Sequence, residues 1–135
     1  VKTDQRHRRR SLSPEELAEL LSAAEQSGAV RGLSGSDRAM LYRVAGLTGI
    51  RAKELASLTP NSFDFSANPP TVTVEARHSK HRRKDVLPLN GDLAAILGPW
   101  IAGKPAGEPL WPGNWAKFDS ARIIRRDLET ARARW

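Results

Sequence analysis

The hydrophobic period of this chain changes twice, and that double change constrains its fold more than any single motif. Helical spacing runs from Ser13 to about Leu58, short alternating β-branched runs fill the stretch to Leu89, and helical spacing returns at Asn90. "SLSPEELAELLSAAEQ" opens the first helix: Ser13 suits the N-cap, Pro14 the first helical position, and Glu16 closes a capping box. Leu12 and Leu17 are spaced as a hydrophobic staple, and Leu17, Leu20, Leu21 and Ala24 share one face. Gly28 and the Gly-Ser stretch 32–36 break the chain. A second helix is predicted from about Asp37 to Leu47, buried through Met40, Leu41, Val44 and Leu47, with Gly49 left-handed at its end. A third, from about Ala52 to Leu58, stops before Thr59-Pro60.

"SFDF", "TVTVEAR" and "KDVLPL", separated by "SANPP" and "HSKHRR", predict a small three-stranded antiparallel sheet with a basic hairpin tip. "NGDLAAILGPWIAG" reads as a helix capped by Asn90 and buried through Leu93, Ile96, Leu97, Trp100 and Ile101. After the Pro/Gly loop "KPAGEPLWPGN", the last helix starts near Trp115, with Phe118, Ala121, Ile124, Leu128 and Ala131 on one face. The tryptophans suit core and loop anchoring better than base stacking, with Trp115 and Trp135 left open. The fold class is α+β, mostly helical, in the order α-α-α-β-β-β-α-α.

Length and charge then narrow the function. The 135 residues make one domain, and a formal charge of +7 suggests a polyanionic partner, most simply nucleic acid. With no cysteine there is neither a disulfide framework nor a thiolate metal site. No apolar run approaches a membrane span and no signal-peptide pattern opens the chain, so a cytoplasmic protein is expected. The basic tract at 1–11 reads as a linker or arm before a domain at 12–135. A start at Val1 and an end still in helical pattern, "RRDLETARARW", suggest a piece of a larger protein.

Two constellations are candidates for chemistry. Residues 77–84, "RHSKHRRK", hold Arg77, Lys80, Arg82, Arg83 and Lys84, a set suited to a DNA backbone and equally readable as a solvated turn. The N-terminal arm and Arg122, Arg125 and Arg126 are two further basic tracts, and the three together favour nucleic acid. Arg51 and Glu54, three apart at a helix start, can pair so that the carboxylate orients a guanidinium fork suited to two phosphate oxygens. Taken alone, that spacing reads more readily as a surface salt bridge. His78 and His81 have no Cys or carboxylate at ligand spacing, and "GLTGIR" lacks a P-loop lysine, so no metal and no cofactor is implied.

"TGIRAKELASLTPNSFDF" followed by "EARHSKHRRKDVLPL" closely resembles the catalytic domain of tyrosine recombinases, the phage-integrase family. The matched box is Thr48, Gly49, Ile50, Arg51, Glu54, Leu55 and Leu58, and Lys80 stands eight residues before Pro88, where the family keeps its catalytic lysine. The resemblance covers essentially the whole chain. It implies DNA cleavage by a tyrosine hydroxyl through a 3′-phosphotyrosyl link, with Arg51 as a phosphate clamp, Lys80 as general acid and Glu54 as support for Arg51. Double-stranded DNA is the implied partner, with a parent that works as a tetramer on DNA and a monomeric fragment. The family's His-x-x-Arg box and nucleophilic tyrosine have no match in these residues. Tyr42, the single tyrosine, lies before Arg51 in mid-helix and reads as a packing residue. The expectation is the front part of a catalytic domain that binds DNA without cleaving it. The alternatives are a degenerate integrase that only binds, a helix-turn-helix regulator, disfavoured by strands where a recognition helix belongs, and an RNA-binding domain, which lacks aromatic stacking residues on its strands.

Overall fold

A computed structural model describes residues 13–79, 82–118 and 120–133 of the chain. The N-terminal arm, Leu12 of the staple, Lys80, His81, Trp135 and the side chain of Phe118 lie outside what is described. Among the described residues the order is α1 (Pro14–Glu25), α2 (Gly35–Thr48), α3 (Ala52–Leu55), a 3₁₀ turn (Pro60–Ser62), β1 (Phe63–Asp64), β2 (Thr71–Val74), β3 (Asp85–Pro88), α4 (Gly91–Ala102), α5 (Trp115–Phe118) and α6 (Ser120–Arg132). This is the mostly helical α+β arrangement expected from the change of period.

Local chemistry accounts for the element boundaries. The capping box at α1 is complete: Glu16 N–H donates to Ser13 Oγ at 3.1 Å and Ser13 N–H to Glu16 Oε1 at 2.9 Å. Helix α2 starts earlier than the expected Asp37, because Ser34 Oγ accepts from the Asp37 N–H and makes Ser34 the N-cap. Gly35 opens that helix under the end of α1, where an added Cβ would stand 2.2 Å from the Ala24 carbonyl oxygen. Helix α3 is one turn shorter than expected, since the chain turns at Ala56 and reaches Thr59-Pro60 without further helix. Asn90 caps α4 through its side chain, accepting from the Asp92 and Leu93 N–H groups.

The strands form an antiparallel sheet in the order β1-β2-β3, with Phe63 opposite Val72 and Val72 opposite Leu87. Phe63, Val72 and Val74 are buried on one face of the sheet. The helices close over a core that includes Leu20, Leu33, Val44, Leu58, Leu97 and Trp111. Trp111 is fully buried and donates its indole N–H to the Asp37 carbonyl, and the Trp115 indole N–H bonds the Trp111 carbonyl. Both tryptophans are therefore anchors that seat the Pro/Gly loop against α2.

The expected buried faces need correction in α2, α4 and α6. Leu47 is 49% exposed and Ile96 is 39% exposed, although both were expected in the core. In α6 the buried residues are Ile123, Asp127 and Ala131, whereas Ala121 is exposed and Ile124 and Leu128 are half-buried. The cause is common to α2 and α6: at 100° per residue, the buried stripe of α2 is centred on Arg38 and Tyr42 and that of α6 on Asp127. These polar residues were not counted as core. In α4 the stripe runs through Leu93, Leu97 and Ile101, leaving Ile96 on its edge.

Candidate functional site

The Arg51 turn is built by three local interactions. Thr48 Oγ1 donates to the Val44 carbonyl at 2.6 Å and accepts from the Ile50 N–H at 3.2 Å. Gly49 takes φ 77°, a left-handed conformation that costs glycine little, and its N–H closes on the Ala45 carbonyl. Ile50 then turns into the core, only 6% exposed, which leaves the next side chain facing outward. Arg51 is exposed at the N-cap of α3, and its backbone N–H donates to Glu54 Oε1 at 3.1 Å. The expectation was a carboxylate that orients the guanidinium; the bond seen here runs from the Arg51 main-chain N–H to the carboxylate. Glu54 fixes the turn from which the guanidinium projects.

The β2–β3 connection is the second part. His78 and Ser79 N–H groups bond the Glu75 carbonyl, and the Arg82 N–H bonds the Ser79 carbonyl, folding the tract back on itself. Arg77, Arg82, Arg83 and Lys84 are exposed. Arg77 and Arg82 line one open cleft of about 590 Å³ together with Ala76 and Ser79. Arg82 itself has φ 57°, a left-handed backbone in a residue with a long side chain. Arg83 Nε lies 3.8 Å from Asp85 Oδ1, an exposed pair that leaves the guanidinium open to another anion. Lys80, between Ser79 and His81, lies outside the described residues.

A third feature was missed by sequence reasoning. Arg38 is fully buried and makes four hydrogen bonds: Nε to Asp127 Oδ2 at 2.9 Å, Nη2 to Asp127 Oδ1 at 3.2 Å, and Nη1 to the Gly28 and Leu33 carbonyls at 2.8 and 3.0 Å. Tyr42, one turn along α2, donates its hydroxyl to Asp127 Oδ2. Burial alone would lower the Arg38 pKa; the hydrogen bonds and charge of Asp127 outweigh it and the net shift is upward. Burial, then the hydrogen bond and charge of Asp127, push the Tyr42 hydroxyl well above the usual tyrosine range. Tyr42 is therefore a neutral packing and hydrogen-bonding residue, as its mid-helix position suggested. The signal for this network was a lone acid, Asp127, four residues from both Ile123 and Ala131 on an apolar stripe.

Among the described residues no helix is long and apolar enough to cross a membrane. No protein-family model matches the chain, and no curated protein matches it by sequence. Among solved structures it is similar to the crystal structure of XerA recombinase, at 20% sequence identity and a TM-score of 0.63, over 96% of this chain and 45% of that one. The fold is that of part of a tyrosine recombinase, and the chain spans a little under half the length of that recombinase.

Proposed function

We propose that this chain is the front part of a tyrosine-recombinase catalytic domain, which engages duplex DNA through the Arg51 turn and the β2–β3 hairpin. The observation that carries the reading is Arg51 itself: an exposed guanidinium on a turn fixed by Gly49 and by the Glu54 carboxylate, within a recombinase-like fold. A guanidinium fork there suits two oxygens of one backbone phosphate, and the exposed Arg77, Arg82, Arg83 and Lys84 suit further backbone phosphates.

In the parent reaction a tyrosine oxygen bonds to phosphorus and the bond to the 5′-oxygen breaks. Arg51 neutralises charge on the non-bridging oxygens as it builds up, and Lys80 supplies the proton that leaves with the 5′-oxygen. Tyr42 does not fit the nucleophile's role: it is 5% exposed, with its hydroxyl committed to Asp127. Phosphotyrosyl chemistry requires a tyrosine outside these 135 residues, which favours binding without cleavage for this chain. Assembly as a tetramer on DNA belongs to the parent protein, and this chain by itself is a monomer.

Fluorescence anisotropy of a labelled duplex across a salt series tests the reading. Each phosphate that a cation neutralises adds about −0.9 to the slope of log K against log salt. Neutralising Arg77, Arg82, Arg83 and Lys84 to alanine is expected to flatten that slope by about 2 or more. An unchanged slope, or no binding at low salt, overturns the proposal.

A further inference from the structure

We propose that Arg38, Tyr42 and Asp127 are positioning residues that hold the Arg51 turn and the arginine face of α6 in one register for a duplex backbone, an inference that rests on the DNA reading above. Two helices position Arg51 and the arginines of α6. Helix α2 runs unbroken from Arg38 to Thr48 and delivers Arg51 just past its end. Helix α6 exposes Arg122, Arg125 and Arg126 on the side turned away from the buried Asp127. Residues next to these cations line a single cleft of about 290 Å³: Ile50 and Ala52 flank Arg51, and Ala121 and Ile124 flank Arg122 and Arg125. Tyr42 lines the same cleft and donates its hydroxyl to the buried Asp127.

The bond geometry suits alignment more than it suits stability. Helix α6 packs chiefly along α1, and the planar, directional guanidinium–carboxylate pair adds a specific constraint on how it is rotated relative to α2. Nη1 anchors the same guanidinium to the Gly28 and Leu33 carbonyls, so the α1–α2 connection holds the fork in place. Turning α6 by one residue would swing its arginines by about 100°. Arg51 and the α6 arginines could then no longer reach phosphates of one backbone together.

The test separates alignment from charge. Asp127→Asn raises the formal charge of +7 by one, so charge alone predicts tighter DNA binding. Loss of register predicts weaker binding: about eightfold at 0.1 M salt for each phosphate no longer neutralised, with a slope flatter by about 0.9. Arg38→Met with Asp127→Leu keeps the formal charge and fills the site with apolar groups, and so guards against simple unfolding. Circular dichroism confirms the fold of each variant, and anisotropy with a labelled duplex reads its affinity. Weaker binding and a flatter slope in a folded variant are expected. A folded double variant that binds as the wild type does, or a folded Asp127→Asn that binds more tightly, overturns the inference. A wild-type chain with no salt-dependent binding removes the DNA reading and this inference together.

Discussion

Deleting the Asp127 carboxylate should be among the most damaging single changes in this chain. Asp127→Ala leaves Arg38, fully buried, with two of its four hydrogen bonds gone and its charge unpaired, and leaves the Tyr42 hydroxyl without its acceptor. Removing one partner of a buried pair costs about 3–5 kcal/mol, a large part of the about 5–15 kcal/mol by which a domain is stable. At a urea m-value of about 1.5 kcal/mol/M, the midpoint falls by about 2 to 3 M. Arg38→Met with Asp127→Leu removes both charges and leaves only neutral groups, the Tyr42 hydroxyl and the Gly28 and Leu33 carbonyls, to find other partners, so it should cost less than Asp127→Ala. Urea titrations followed by tryptophan fluorescence give both values. If Asp127→Ala costs under about 1 kcal/mol, or the double variant is the worse of the two, the buried pair is not holding α6 to α2.

Three further outcomes follow from the geometry. Gly35→Ala drives a Cβ into the Ala24 and Ser27 carbonyl oxygens, at 2.2 and 2.5 Å, and should cost about 3 kcal/mol or more; Gly49→Ala meets open space and should cost about 1 kcal/mol for its φ of 77° alone, both read by thermal melts. Because Tyr42 is held neutral in the folded state, the unfolded chain loses that proton first as pH rises, so stability should fall by about 1.4 kcal/mol per unit above about pH 10. Tyr42→Phe should abolish that part of the slope, and absorbance near 295 nm should show no phenolate at about pH 11 in the folded wild type. Arg83→Ala breaks only an exposed pair and should change stability by less than about 0.5 kcal/mol while weakening duplex binding in anisotropy.

What the sequence disclosed and what it concealed have a single physical origin. Capping chemistry is local, so Ser13–Glu16, Asn90 and the glycine at position 49 could be read directly, and each is found as expected. The central sheet was equally legible, because strand alternation and its Pro/Gly punctuation are also local. The buried faces of α2 and α6 were misplaced because each is centred on an ionisable residue whose burial depends on a partner 89 positions away. Once Arg38 and Asp127 satisfy each other, a stripe that looks interrupted is continuous, and Leu47 and Ala121 fall outside it. Single-residue patterns cannot show that pairing. Glu54 was expected to orient the Arg51 guanidinium, and the bond its carboxylate accepts from the Arg51 main-chain N–H is a detail that spacing does not supply.

The proposed function places a duplex backbone on the Arg51 turn and the β2–β3 hairpin. A titration of the isotope-labelled chain with a short DNA duplex, followed by amide ¹H–¹⁵N spectra, maps that surface residue by residue. Shifts concentrated at 48–54 and in the hairpin at 75–85, fading as salt is raised and abolished at the turn in Arg51→Ala, are expected. A footprint that avoids both segments, or one unchanged in Arg51→Ala, would contradict it.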